Sequence, residues 1–157
     1  MERRLRTNLI LLAVACLLGV VIWQAQPPGF TPLTPLDPAS IELIDISDLS
    51  GRHIHLQKTA GHWLADGAPA NQERIRQLLG ICATPSLESF AAPQDLAPFG
   101  LDPAPIRLQL NGLTLDFGNT DPVNGWRYVH FEQQVHLIAD GYYHHLTAPP
   151  AAWLASP

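Results

Sequence analysis

The side chains of this 157-residue chain best able to do chemistry are its seven histidines: His53-x-His55, His62, His130, His136 and the adjacent His144-His145. Imidazole is the commonest protein ligand for divalent metals, and it changes charge near neutral pH. In a β-strand, residues two apart lie on one face, so His53 and His55 are spaced to share one metal ion. His62, on a neighbouring strand, is the third candidate ligand. Against a metal site stand the lack of a fourth nameable ligand, the lack of Cys-rich or Met-rich company, and the ease with which surface strands carry His.

Other reactive groupings are missing. The sequence holds no Gly-x-Ser-x-Gly elbow, Walker loop, Rossmann glycine run or His-Glu-x-x-His, so it names no catalytic residue and no cofactor-binding residue, and we expect no enzyme. Asp45, Asp48, Asp95, Asp102, Asp116, Asp121 and Asp140 stand singly in turns and strands, where a carboxylate satisfies its own backbone. No spacing among them promotes the carboxylate pair of a glycosidase. Trp63, Trp126 and Trp153 read as core or edge anchors. Of the two cysteines, Cys16 lies in an apolar run and Cys82 on the apolar stripe of a helix, which makes Cys82 a buried small hydrophobe.

Charge sets further limits. The formal balance is −5, but Arg3, Arg4 and Arg6 precede the first apolar run, leaving six basic and thirteen acidic side chains after Arg6. An acidic module without a basic cluster repels phosphate backbones, so nucleic acid is excluded as a partner.

These side chains need elements to position them, and the first element is an address. Leu9–Trp23 runs for fifteen residues without a polar side chain, about 22 Å of helix, directly after MERRLRTN. With its flanks this suffices to span a bilayer. A cleaved signal peptide would need small residues before the cut, where Trp23 stands. The arginines place the N-terminus in the cytoplasm. The expected organisation is a basic cytoplasmic tail (1–8), a transmembrane helix (9–25), a Pro-rich stalk (26–39) and an extracytoplasmic α+β domain (40–157). The stalk carries five prolines, and an extended segment packed against the domain fits its composition equally well.

Within the domain, Ile41–Ile46 and His53–Gln57 form a first hairpin across Asp48-Leu49-Ser50-Gly51, and His62-Trp63-Leu64 adds a strand that ends at Asp66-Gly67. Asn71 then caps a helix whose apolar face is Ile75, Leu78, Leu79 and Cys82, with Glu73, Arg76 and Gln77 opposite and Pro85 as the stop. Asn111-Gly112, between two alternating runs, is the strongest turn signal. It pairs Leu110 with Leu113, Leu108 with Leu115 and Ile106 with Phe117 on one face, and Gln109 with Thr114 and Arg107 with Asp116 on the other. Trp126–Phe131 and Gln134–Ile138 make a second hairpin around Glu132-Gln133, whose core face is either that of Tyr128 and Leu137 or that of Val129 and Ile138. A helical turn at Tyr142–Leu146 ends before Pro149-Pro150. The expected class is therefore α+β: an N-terminal transmembrane helix, then a small antiparallel sheet with one main helix packed on it.

The order of these features resembles a bacterial family of membrane-anchored proteins, domain of unknown function 4340. The resemblance is carried by Trp63 before Asp66-Gly67, the Asn71 helix ending in Leu78-Leu79, Phe99-Gly100-Leu101-Asp102-Pro103, a hairpin ending in Phe117-Gly118, and Arg127-Tyr128-Val129. In these motifs Gly100 supplies positive φ, Leu101 plugs the core and Gly118 ends its strand. Larger members look like auxiliary parts of transport or gliding-motility assemblies, which implies an accessory role in the cell envelope. The expectation is a single-pass protein of the bacterial inner membrane, with the bilayer contacted by Leu9–Trp23 and the domain in the periplasm. There it serves as a non-catalytic accessory or scaffold subunit that contacts another envelope or membrane protein. The alternative is a periplasmic metal- or small-ligand-binding module using the His53/His55 face.

Overall fold

A computed structural model describes residues 31–155, within the second of the two units, 1–30 and 31–157, into which the chain divides. The basic tail, the apolar segment (9–25) and residues 26–30 lie outside the described residues. Among the described residues no helix is long and apolar enough to cross a membrane.

Nine strands form one antiparallel sheet: β1 (Leu43–Asp48), β2 (His53–Thr59), β3 (His62–Ala65), β4 (Ala68–Pro69), β5 (Glu88–Ala91), β6 (Ile106–Leu110), β7 (Leu113–Thr120), β8 (Arg127–Phe131) and β9 (Gln134–Ile138). Their spatial order is β4-β3-β2-β1-β6-β7-β8-β9-β5. Two short helices, α1 (Gln72–Leu79) and α2 (Tyr143–Leu146), complete an α+β domain.

The Asn-Gly turn fixes the central register. Asn111 and Gly112 both take positive φ, 48° and 87°, and the five pairs from Ile106↔Phe117 to Leu110↔Leu113 fall as the two-residue loop requires. Ile44, Ile46, Ile54, Leu56, Leu108, Leu115 and Phe117 then share one buried cluster with Ile75 and Leu78 of α1, Leu146 of α2, and Trp153. Helix α1 starts where Asn71 accepts the Arg74 N–H at 3.0 Å. It ends at Leu79 rather than continuing through Cys82, because the chain tightens into a 3-10 turn over Gly80–Ala83. Cys82 is still buried, and that burial pushes its thiol pKa up.

At the second hairpin both faces are covered, which resolves the ambiguous pattern. Val129 sits in the core opposite His136, and Ile138 shares that face opposite Arg127. On the other face Tyr128 stands opposite Leu137 and meets the edge of Phe99, 5.1 Å between ring centroids. Phe99 belongs to the Phe99–Pro103 run. Gly100 turns it with φ 66°, as expected. Gly118 does not end its strand but lies inside β7, where a Cβ would stand 2.3 Å from the Phe99 carbonyl and 2.9 Å from Leu101. The glycine there permits close backbone approach.

The Pro-rich segment needs a second correction. Residues 31–39, read as part of a stalk, line the domain: Leu33 is 2% exposed, Pro32 bridges Pro85, and Leu33 donates to the Thr84 carbonyl at 2.8 Å. Buried Leu33 and Thr34, with Leu36 packed against the core and the Thr31 carbonyl accepting from Ser86 N–H at 3.0 Å, seat the extended chain.

Two arginines hold the C-terminal segment. Arg52 donates to the carbonyls of Leu146 (2.7 Å) and Ala148 (2.6 Å) while paired with Asp48, whose carboxyl is held well below the usual range by Ser50 and Arg52. Arg127, its side chain 10% exposed, forms a two-pronged pair with Asp140, donates to the Gly118 carbonyl, and lies 3.5 Å from the centre of the Tyr143 ring. Removing a partner from a buried pair costs most when the charge left behind cannot be hydrated. Asp140 is 36% exposed and Arg127 is not, so Asp140→Ala should cost about 3–5 kcal/mol and Arg127→Met only about 1–3. Urea unfolding of the two variants checks the order.

Candidate functional site

One sheet face carries the core. The other is open over β2, β1, β6 and part of β7, and it carries His53, His55, His130, Asp45 and Asp116 among the side chains singled out above. Directly opposed residues form two rows across the strands. His53, Ser47, Arg107, Asp116 and His130 make one row, and His55, Asp45, Gln109 and Thr114 the other. Both rows exist because β1 inserts between β2 and β6, a long-range pairing.

The two expected histidines do come together. His53 Nε2 is 3.2 Å and His55 Nδ1 2.8 Å from the same oxygen, Asp45 Oδ1, and the rings stack with centroids 6.4 Å apart. Asp45 is the member that sequence spacing missed, although its position in an alternating strand was readable. His62 does not join them. It pairs with Thr59 at the far end of β2, four residues or about 13 Å along the strand from His55. Among the described residues no group of three or more His, Cys, Asp or Glu side chains is placed to hold a metal ion.

Beyond Asp45, two of the opposed pairs bond to each other. Arg107 binds Asp116 through two bonds of 2.7 and 3.1 Å, and Gln109 reaches Thr114 at 3.3 Å, both as the hairpin register required. A cavity of about 470 Å³ opens beside them, with Thr114, Asp116, His130 and Glu132 in its lining.

A Ser–His contact lies elsewhere, beside a groove of about 290 Å³ between residues 31–35 and β9. Ser86 Oγ is 2.9 Å from His136 Nδ1, but the hydroxyl donates to the Glu88 carbonyl at 3.0 Å. In the tautomer that satisfies both contacts, the hydroxyl donates to the carbonyl and accepts from His136 Nδ1–H.

His136 and His145 are both 9% exposed, and burial lowers both pKa values below the ordinary 6.5, with neighbouring positive charge from His144 and Arg74 adding to the effect at His145. Both stay neutral in the folded chain while the unfolded chain takes up protons. Their contribution to stability is thus complete above about pH 6.5 and is lost as pH falls below that value toward the folded-state pKa values. Urea midpoints measured from pH 7.5 to 5 should fall, and the fall should be shallower in the His136→Gln/His145→Gln variant.

No curated protein and no solved structure matches this chain. A family model, described as domain of unknown function (DUF4340), matches residues 63–156. That stretch begins at the buried Trp63 and takes in α1, the Phe99–Pro103 run docked on Gly118, both hairpins after it, and the C-terminal segment tied down by Arg127. The match covers more than half of the chain, and the protein belongs to the DUF4340 family.

Proposed function

We propose that this protein is a single-pass, inner-membrane-anchored accessory or scaffold subunit of an envelope protein complex, with Leu9–Trp23 in the bilayer and a non-catalytic domain in the periplasm. The apolar run after three arginines supports the anchor and its orientation. The observation that carries the role is the open sheet face, where Asp45 meets both imidazoles, Arg107 pairs with Asp116 and Gln109 reaches Thr114. That face is a broad polar and charged surface, suited to a partner of complementary charge and hydrogen-bonding groups.

Two measurements on the full chain test this reading. Salt-washed membranes should retain the protein. A photo-crosslinking residue at Gln57 or Thr114, on the open face, should link it to one and the same membrane or envelope protein, and Arg107→Glu should reduce that adduct. Recovery in the aqueous fraction, or adducts no richer than those from a probe at Ala83, would overturn the proposal.

A second reading, a metal- or small-ligand-binding module, is favoured by the convergence of both imidazoles on Asp45. On that reading the full chain carries one zinc per chain by elemental analysis, and His53→Ala/His55→Ala carries none. Zinc well below one per chain in the unaltered protein discards it.

A further inference from the structure

The two ends of the sheet are treated differently. At one end β4 is two residues long, contains Pro69, and is covered by the chain terminus: Ala70 bridges Leu154, and Ala155 donates to the Pro69 carbonyl at 2.9 Å. That edge cannot accept a strand. At the other end β5 is bare, with Glu88, Ser89, Phe90 and Ala91 all exposed. Ala92 donates to the Gln133 carbonyl at 2.8 Å, and the β5–β9 register pairs Phe90 with Val135 and Glu88 with Leu137. Bonding directions alternate along an antiparallel strand, so Glu88, Phe90 and Ala92 bond inward, while the N–H and C=O groups of Ser89 and Ala91 point outward. An exposed edge of this kind is a template for another strand unless lysine, proline or a bulge blocks it on its open side; Glu88–Ala91 contains neither lysine nor proline, and the one irregularity, Leu87 N–H donating at 2.9 Å to the carbonyl of Leu137 opposite Glu88, precedes Ser89 and Ala91.

We propose that this edge pairs with the β5 edge of a second copy, antiparallel about a two-fold axis through Phe90. The strand is self-complementary in that register. Ser89 of each copy exchanges both main-chain bonds with Ala91 of the other, about four hydrogen bonds in all. Phe90 faces Phe90 as a close, non-hydrogen-bonded pair, and Glu88 faces Ala92, so no like charges meet. Phe90 is among the few exposed large hydrophobics of the domain and is held from behind by Phe99, 5.5 Å between ring centroids. The other registers that use Ser89 and Ala91 are poorer: centring on Ala91 sets Ser89 against Pro93, which has no N–H, and centring on Ser89 sets Phe90 against Glu88. The chain's own Gln26–Phe30 segment is a poor occupant because Pro27 and Pro28 cannot donate. This pairing is independent of the open-face reading above, since it uses the edge and not the face.

The test is oxidative cross-linking in intact membranes. Full-length chain with Cys16→Ala and Phe90→Cys, treated with copper–phenanthroline, should give a disulfide-linked species of twice the chain mass, because directly opposed, non-hydrogen-bonded strand positions bring Cβ atoms within disulfide reach. Adding Ala91→Pro removes one outward N–H from each copy and should lower that yield at least about tenfold with an unchanged thermal midpoint. Should Ala91→Pro fail to fold, Phe90→Lys in the otherwise unaltered chain takes its place, sedimenting as a monomer where the parent is a dimer. No dimer from Phe90→Cys, an equal yield from Val123→Cys, or a dimer unaffected by these variants overturns the proposal. So does a Phe90→Cys adduct formed only with a different protein.

Discussion

The register of β1 against β6 is the constraint on which the rest of the domain depends. Their paired residues stand 58 to 66 positions apart in sequence, and a slip of one residue would turn Ile44 and Ile46 out to solvent and Asp45 into the core. Asn111 pins the register from the turn it helps to make. Its side-chain oxygen accepts the N–H groups of Glu42 (2.9 Å) and Leu43 (3.1 Å), its amide donates to the Ser40 carbonyl, and its own N–H reaches the Leu43 carbonyl. One residue thus closes a local hairpin and seats the strand that makes the sheet continuous. The Asp45 cluster follows from it, because the same pairing sets Asp45 between His55 and Gln109.

Around that frame, packing and polar ties divide the labour. The core face is sealed by α1, α2 and Trp153, whose apolar side chains form one cluster with the strands. Hydrophobic burial does not specify direction, and the C-terminal segment is oriented by guanidinium groups instead. Arg52 grips two carbonyls at the end of α2, and Arg127 grips Asp140 before its start. Planar, multi-donor groups fix geometry where an aliphatic contact would leave it loose. The opposite face is closed where Phe99 and Leu101 dock over Gly118 and Tyr128 and at Val135 and Leu137 of β9. Among the described residues a polar surface and the β5 strand edge stay exposed.

Much of this was legible in local sequence. The Asn111-Gly112 hairpin read to the residue pair, because a two-residue loop with positive φ leaves one register. The Asn71 cap, the apolar stripe of α1 and the arginine–aspartate pair at 107 and 116 followed from spacing alone. Strands β4 and β5 did not, for a physical reason: β4 contains a proline, and Glu88–Ala91 alternates too weakly to stand out from loop sequence. Residues 31–39 stayed open between stalk and packed chain because five prolines between 26 and 39 suggest an extended chain without saying whether it is solvated or packed. At the candidate site, strand periodicity put His53 and His55 on one face but could not say that Asp45 would stand between them or that His62 would not arrive.

By itself the sequence determined the class of the fold, the turns and the helix cap, because each is written in short runs whose backbone preferences or hydrogen bonds reach no further than a few positions, and it determined the family through the order of such runs along the chain. The tertiary structure decided which strands became neighbours, which polar groups were spent on each other, which glycine had to be a glycine for want of room, and which edge of the sheet was left uncovered. Those outcomes depend on groups that meet only after the chain has folded back on itself, and no local preference encodes the meeting.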